Sequence, residues 1–211
     1  MTSTHKTVFV LIACVALVIG LTVSKVLGNR GGGNQAEQLD AGLVMLQQSR
    51  QLPPVELLDQ HGEARQLDRL TGKWSLVFFG YTFCPDICPT TLADLRLIKS
   101  QLPEATREQV QVVLISVDPQ RDTPEQLKQY LGYFDPQFIG LTGSPEAIQA
   151  SANALGVPYV PGDTSKPDYT VDHGGNLALI DPSGVQRGFI RAPLRNDKLL
   201  ALLPGIVASQ R

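Results

Sequence analysis

Cys84 and Cys88 stand with three residues between them in Phe79-Gly80-Tyr81-Thr82-Phe83-Cys84-Pro85-Asp86-Ile87-Cys88-Pro89, and the only other cysteine, Cys14, lies in an N-terminal apolar segment. Thiolates bind soft ions such as Cu(I) and attack disulfides, so the pair points to a metal-ligand set or a redox dithiol. Proline is favoured in the first turn of a helix, where its missing N–H leaves no bond unmade, and Pro89 therefore predicts a helix start with Cys88 at the N-cap. A thiolate there would feel the positive end of the helix dipole, which is expected to bring its pKa below the ordinary ~8.5. The bland alternative is that both cysteines are small buried hydrophobes, as most free cysteines are.

Such a pair needs a scaffold. Trp74-Ser75-Leu76-Val77-Phe78-Phe79 and Val110-Gln111-Val112-Val113-Leu114-Ile115-Ser116-Val117 are continuous apolar runs of the kind that form buried strands. Between them Leu92, Leu95, Ile98 and Leu102 recur at helical spacing, so the three segments read as a βαβ unit with parallel strands. Thr123-Pro124-Glu125 and Ser144-Pro145-Glu146 look like capped helix starts, with a short strand at 138–141 between the two helices and Gly156 closing the second. Asn176–Ile180, the turn Asp181-Pro182-Ser183-Gly184 and Val185–Ile190 read as a β-hairpin, followed by a last helix capped by Asn196 and running toward Val207. Val55-Glu56-Leu57-Leu58, Gly62 and Arg65-Gln66-Leu67 suggest a preceding hairpin. Alternation ending in an antiparallel hairpin and a helix predicts an α/β fold of the thioredoxin-like kind.

Two sulfurs leave a copper ion incompletely coordinated, and the chain has three histidines from which to complete the set. His5 precedes the apolar segment, and His61 sits in the turn Asp59-Gln60-His61-Gly62, where a solvated loop residue is expected. His173 in Val171-Asp172-His173-Gly174 directly precedes the predicted strand at 176–180. In a thioredoxin-like sheet that loop packs beside the dithiol turn, so His173 is the expected third ligand, the alternative being a structural histidine satisfied by backbone. Asp172 could orient the ring or point away from it. An S₂N set suits Cu(I), with room for a fourth donor in Cu(II), whereas structural zinc usually takes four protein ligands. Asp86 or a partner would have to supply the fourth.

The run from Val8 to Val23 is almost wholly apolar and, with its flanks, about long enough to cross a bilayer. It reads as an uncleaved anchor over 1–27; a cleaved signal peptide and a lipoprotein box at Leu11-Ile12-Ala13-Cys14 are the alternatives. Only seven residues precede the run and none is arginine, which argues against a mitochondrial transit peptide and for a bacterial inner-membrane protein. Residues 28–49 are expected to be a flexible tether, since Gly28–Gln38 is rich in Gly, Asn and Gln, and residues 50–211 to form the domain. A net charge of −2 offers no basic surface for nucleic acid.

The chain resembles the Sco/SenC family of copper-binding proteins associated with cytochrome c oxidase assembly. The resemblance runs from about Leu52 to Leu194 and rests on Gly72-Lys73-Trp74, the cysteine stretch, Ser116-Val117-Asp118-Pro119-Gln120-Arg121-Asp122-Thr123-Pro124, Tyr169-Thr170-Val171-Asp172-His173 and Asp181-Pro182-Ser183-Gly184. It implies that Cys84, Cys88 and His173 hold copper, as Cu(I), Cu(II) or both. It also implies a single-pass inner-membrane protein whose soluble domain faces the periplasm. The implied partners are a copper donor chaperone, a thiol reductant and subunit II of the oxidase with its CuA site, where copper is delivered or cysteines are reduced. Gly174 departs from the serine that family members often carry there. The competing readings are a thiol-disulfide oxidoreductase without a metal, with Cys84 and Cys88 as its catalytic dithiol, and a copper or redox sensor; a peroxidase is weaker still.

Overall fold

The structure, a computed structural model, describes residues 31–209 except 167, together with residues 5, 12, 15–17, 19 and 20. The chain divides into two units, Met1–Leu39 and Asp40–Arg211, and the second carries the cysteines and His173. Gly31–Asp40 forms helix α1. The second unit contains strands β1 (Leu43–Gln51), β2 (Glu56–Asp59), β3 (Ala64–Gln66) and β4 (Trp74–Gly80), helices α2 (Ile87–Gln101) and α3 (Glu104–Arg107), and strand β5 (Val110–Ser116). It continues with α4 (Pro124–Gly132), β6 (Ile139–Thr142), α5 (Pro145–Leu155), the short pair β7 (Tyr159–Val160) and β8 (Asp172–His173), then β9 (Leu177–Ile180), β10 (Val185–Ile190) and α6 (Asn196–Ala208).

The expected βαβ unit is the centre of an eight-stranded sheet ordered β1-β10-β9-β4-β5-β6-β2-β3. β4 and β5 pair in parallel from Trp74↔Val110 to Gly80↔Ser116, and β6 continues the parallel set on β5. β9 runs antiparallel on the other side of β4, with Phe78 opposite Leu177. Every residue of β4 is buried, the mark of a strand covered on both faces, and each large side chain taken from water there contributes on the order of 1.5–3 kcal/mol. α2 buries Leu92, Leu95 and Ile98 as its spacing predicts and packs against α6. α4 lays Leu127 and Leu131 over Gly140 of β6, where a Cβ would sit 2.9 Å from Leu131 Cδ1. Thr123 and Ser144 cap α4 and α5 by accepting from the N–H groups of Gln126 and Ala147, and Gly156 closes α5 at φ 66°.

Three expectations need correction. The tether does not reach residue 49: residues 31–40 are helical, and β1 joins the sheet edge, pairing Leu43 with Ile190 and Val44 with Phe189. Polar residues from Gln47 onward disguise the strand, yet Leu43 and Ala41 are buried and supply the reason it docks. Asn196 does not cap α6; Arg195 stands at that position and the Asn196 amide instead donates to Asp94 Oδ1 of α2 at 2.7 Å. Cys88 is not the N-cap of α2, a place taken by Asp86, with Pro89 the third helical residue. The first turn tolerates proline at that depth because its N–H groups have no intrahelical partner. Among the described residues no helix is long and apolar enough to cross a membrane, and most of the expected anchor lies outside them.

Candidate metal centre

β4 ends at Gly80, the chain turns through Tyr81–Asp86, and α2 begins at Ile87, so Cys84 sits in the turn and Cys88 in the first helical turn. Cys88 is fully buried, Cys84 is partly exposed, and both are unpaired thiols. Gly80 makes room for this: a Cβ there would lie 2.7 Å from Cys88 Sγ and 2.8 Å from Phe78 Cε1. The Tyr81 N–H donates to Cys88 Sγ at 3.5 Å and the Cys84 N–H donates to the Tyr81 carbonyl at 3.3 Å, which folds the turn back over the helix start.

His173 arrives from β8, whose pairing partner across the ladder is Tyr159 of β7. Gly175 lets the following loop press on α2, since a Cβ there would meet Ile87 Cδ1 at 2.8 Å and Ala192 Cβ at 2.9 Å. The imidazole stands edge-on to Phe78 and Tyr81, with ring centroids 5.8 and 5.6 Å away. Its Nε2 is 3.2 Å from Cys88 Sγ and its Nδ1 is 3.3 Å from the Gly174 carbonyl oxygen. A carbonyl only accepts, so Nδ1 carries the hydrogen in that contact and Nε2 turns a lone pair toward the sulfur. One donor atom from each of Cys84, Cys88 and His173 lies within 4.8 Å of the other two, and they are the sole such group of three or more among the described residues.

The electrostatics differ from the sequence expectation. Burial pushes the Cys88 thiol well above its ordinary value, opposed by the Tyr81 N–H and reinforced by Cys84 and Asp122, so the helix dipole does not govern it. Burial also lowers the pKa of His173, against the carbonyls of Gly174 and Phe79 and the charge of Asp172. Burial thus drives both groups toward their uncharged forms: the imidazole can offer Nε2 as it stands, whereas the thiol must give up its proton to become a ligand. Asp172 is exposed, and the Gly174 carbonyl orients the ring. Asp86 stays exposed at the helix start and outside the group, and His61 lies in the exposed β2–β3 turn with its N–H on Asp59 Oδ1.

The residues around these three side chains carry no local sequence signal of a role. Asp122, fully buried, accepts from the Thr82 N–H at 3.0 Å, from Thr82 Oγ1 at 2.6 Å and from Ser116 Oγ at 2.6 Å, which anchors the cysteine turn. Arg121 donates to Asp118 Oδ2 at 2.5 Å and to the Tyr169 carbonyl at 3.0 Å. The one signal for them was their place in the Ser116–Pro124 segment of the family resemblance.

A mixed α/β sheet whose first parallel strand ends in a dithiol turn, with a histidine brought beside it from a later strand, defines a thioredoxin-like protein of the metal-binding kind. The chain belongs to the SCO1/SenC family, which it matches over residues 45–207. It is 50% identical over 171 residues to a "Putative copper-binding protein" of Stutzerimonas stutzeri, covering 81% of this chain and 84% of that one. A "SCO2-like protein" of Rickettsia conorii is 44% identical over 131 residues, which make up 61% of this chain and 63% of the relative. Among solved structures, yeast Sco1 with copper bound superposes with a TM-score of 0.71 at 31% identity, covering 77% of this chain and 91% of that one.

Proposed function

We propose that this protein is a copper metallochaperone that holds one copper ion on Cys84, Cys88 and His173 and passes it to the CuA site of cytochrome c oxidase subunit II. The observation that carries the reading is the convergence within 4.8 Å of two sulfurs from one turn and an imidazole nitrogen that lies 85 positions beyond Cys88 in sequence. Family membership and the copper named for the Stutzerimonas and yeast relatives support it. Because both thiols must lose protons on binding, copper competes with protons at the site; because a disulfide has no thiolate left to offer, oxidation of the pair by a partner disulfide switches binding off. A copper donor upstream and a thiol reductant are the partners this cycle requires. The apolar run Val8–Val23 would anchor the chain in the bacterial inner membrane with the domain in the periplasm.

Copper stoichiometry and affinity of the reduced protein test the assignment. One equivalent bound tightly, and lost in Cys84→Ser, Cys88→Ser and His173→Ala, is expected; retention of tight binding after either cysteine change would remove that residue from the site. Localisation is tested separately by fractionation and by protease accessibility of the domain in spheroplasts.

A second reading, reduction of the client's cysteines by the same pair, follows from two unpaired thiols at one turn. Turnover on a disulfide peptide of the subunit II copper-binding segment separates the two. Fast reduction by a protein that binds copper weakly would favour the oxidoreductase.

A further inference from the structure

The segment Ser116–Asp122 between β5 and α4 supplies no ligand, yet it touches both parts of the chain that do. On one side the Asp122 carboxylate receives the N–H and the hydroxyl of Thr82, two residues before Cys84. On the other, Tyr169 OH donates to Asp118 Oδ1 and the Tyr169 carbonyl accepts from Arg121, four residues before His173. The Arg121 guanidinium is the junction. It lies 3.7 Å over the Tyr169 ring, 4.9 Å from the Phe83 ring and 5.7 Å from the Tyr81 ring, so one cation is shared by aromatic groups from the histidine segment and from the cysteine turn. Asp118, 2% exposed, fixes that cation through Nε and fixes Tyr169 through its hydroxyl. The Val171 N–H closes the circuit by donating to Tyr81 OH at 3.3 Å.

We propose that Arg121 is a positioning residue: braced by Asp118, it holds the Tyr169–His173 segment against the Tyr81–Cys84 turn, so that the imidazole and the two sulfurs face one another before any metal arrives. The contact of His173 Nε2 with Cys88 Sγ is the product of that brace, because the sheet alone leaves β8 joined only to β7. For its metal the inference rests on the copper-carrier reading; its geometry stands without it. A planar, forked cation is required, since it must hydrogen-bond in its plane while stacking on its face, and an ammonium cannot do both.

The test compares the full chain with Arg121→Met, which keeps an unbranched apolar stem but removes the guanidinium, and with Arg121→Lys. Cu(I) affinity, measured by competition with a chromophoric chelator, is expected to fall ~10- to 100-fold in R121M, the usual loss when a group behind a ligand is removed, with no rescue by R121K. In a His173→Ala background the same R121M change should leave affinity nearly unaltered, because the ligand it positions is gone. In the reduced, metal-free protein, the nuclear Overhauser contacts of the His173 ring with Phe78 and Tyr81 should weaken in R121M. Unchanged affinity in R121M, an equal loss with and without His173, or persistence of the ring contacts would overturn the proposal. If R121M does not fold, Tyr169→Phe, which deletes only the hydroxyl bound to Asp118, runs the same comparison with a smaller expected loss. A wild-type protein that takes up no Cu(I) but whose ring contacts depend on Arg121 would sink the carrier reading and leave the positioning role standing.

Discussion

Cys88 and His173 meet as partners that burial drives toward their uncharged forms, one with its pKa raised and the other with its pKa lowered. The consequence for stability has two limbs. The unfolded histidine gains a proton near its ordinary 6.5 while the native one resists, so the unfolded state binds more protons there and stability falls as pH drops below 6.5. The native thiol keeps its proton above the ordinary ~8.5 while the unfolded one releases it, so stability falls again as pH rises past ~8.5. Denaturant midpoints of the metal-free protein across this range should show a plateau between those values, with the acid limb reduced in His173→Asn and the alkaline limb reduced in Cys88→Ala. That Cys84, Cys88 and His173 would meet was legible in sequence, because two cysteines in one turn and a histidine before a strand are rare chemistry in predictable places. Their ionisation was not, since reading Cys88 as an N-cap missed the burial that outweighs the dipole. Arg121 and Asp122 were hidden for another reason: their contacts to Tyr169 and Thr82 cross 48 and 40 residues, and no local pattern announces them.

At the scale of elements, the site depends on backbone brought close at a few glycines. Gly80→Ala places a methyl group against Cys88 Sγ and Phe78, both packed from several sides, and should cost ~1–3 kcal/mol in urea or guanidinium unfolding. Gly174→Ser is the contrasting case, because nothing lies within 4 Å of a Cβ at that position. It should leave stability within about 0.5 kcal/mol of wild type, so the departure from the family's serine is tolerated by open space beside the ring. The strands β4 and β5, the caps Thr123 and Ser144 and the closing hairpin β9–β10 could be read directly from apolar runs and turn residues. β1 and α1 could not: Leu43-Val44-Met45-Leu46 is too short an apolar run to stand out, and its partner β10 lies more than a hundred residues away.

For the molecule as a whole, the domain boundary falls before Leu43 rather than at residue 50. Asp40 binds Arg195 Nη1 at 2.8 Å and also contacts Lys198, while β1 shields the edge of β10. A chain starting at residue 50 should be less stable than one starting at residue 39, by ~1.5–3 kcal/mol for the loss of Leu43 burial alone, measured as a shift in the urea midpoint without loss of the sheet signal. The unequal exposure of the two thiols has a directional meaning for any encounter. A visiting disulfide or electrophile can reach only Cys84, so in the reductase reading the mixed disulfide would form on that atom and Cys88, shielded behind the turn, would attack it, releasing the client as a thiol and closing a Cys84–Cys88 disulfide. Brief alkylation of the reduced, metal-free chain followed by peptide mass spectrometry should find the label on Cys84 well before Cys88. In that reading the pair would work as a lock with a single keyhole, entered from the turn and sprung from inside.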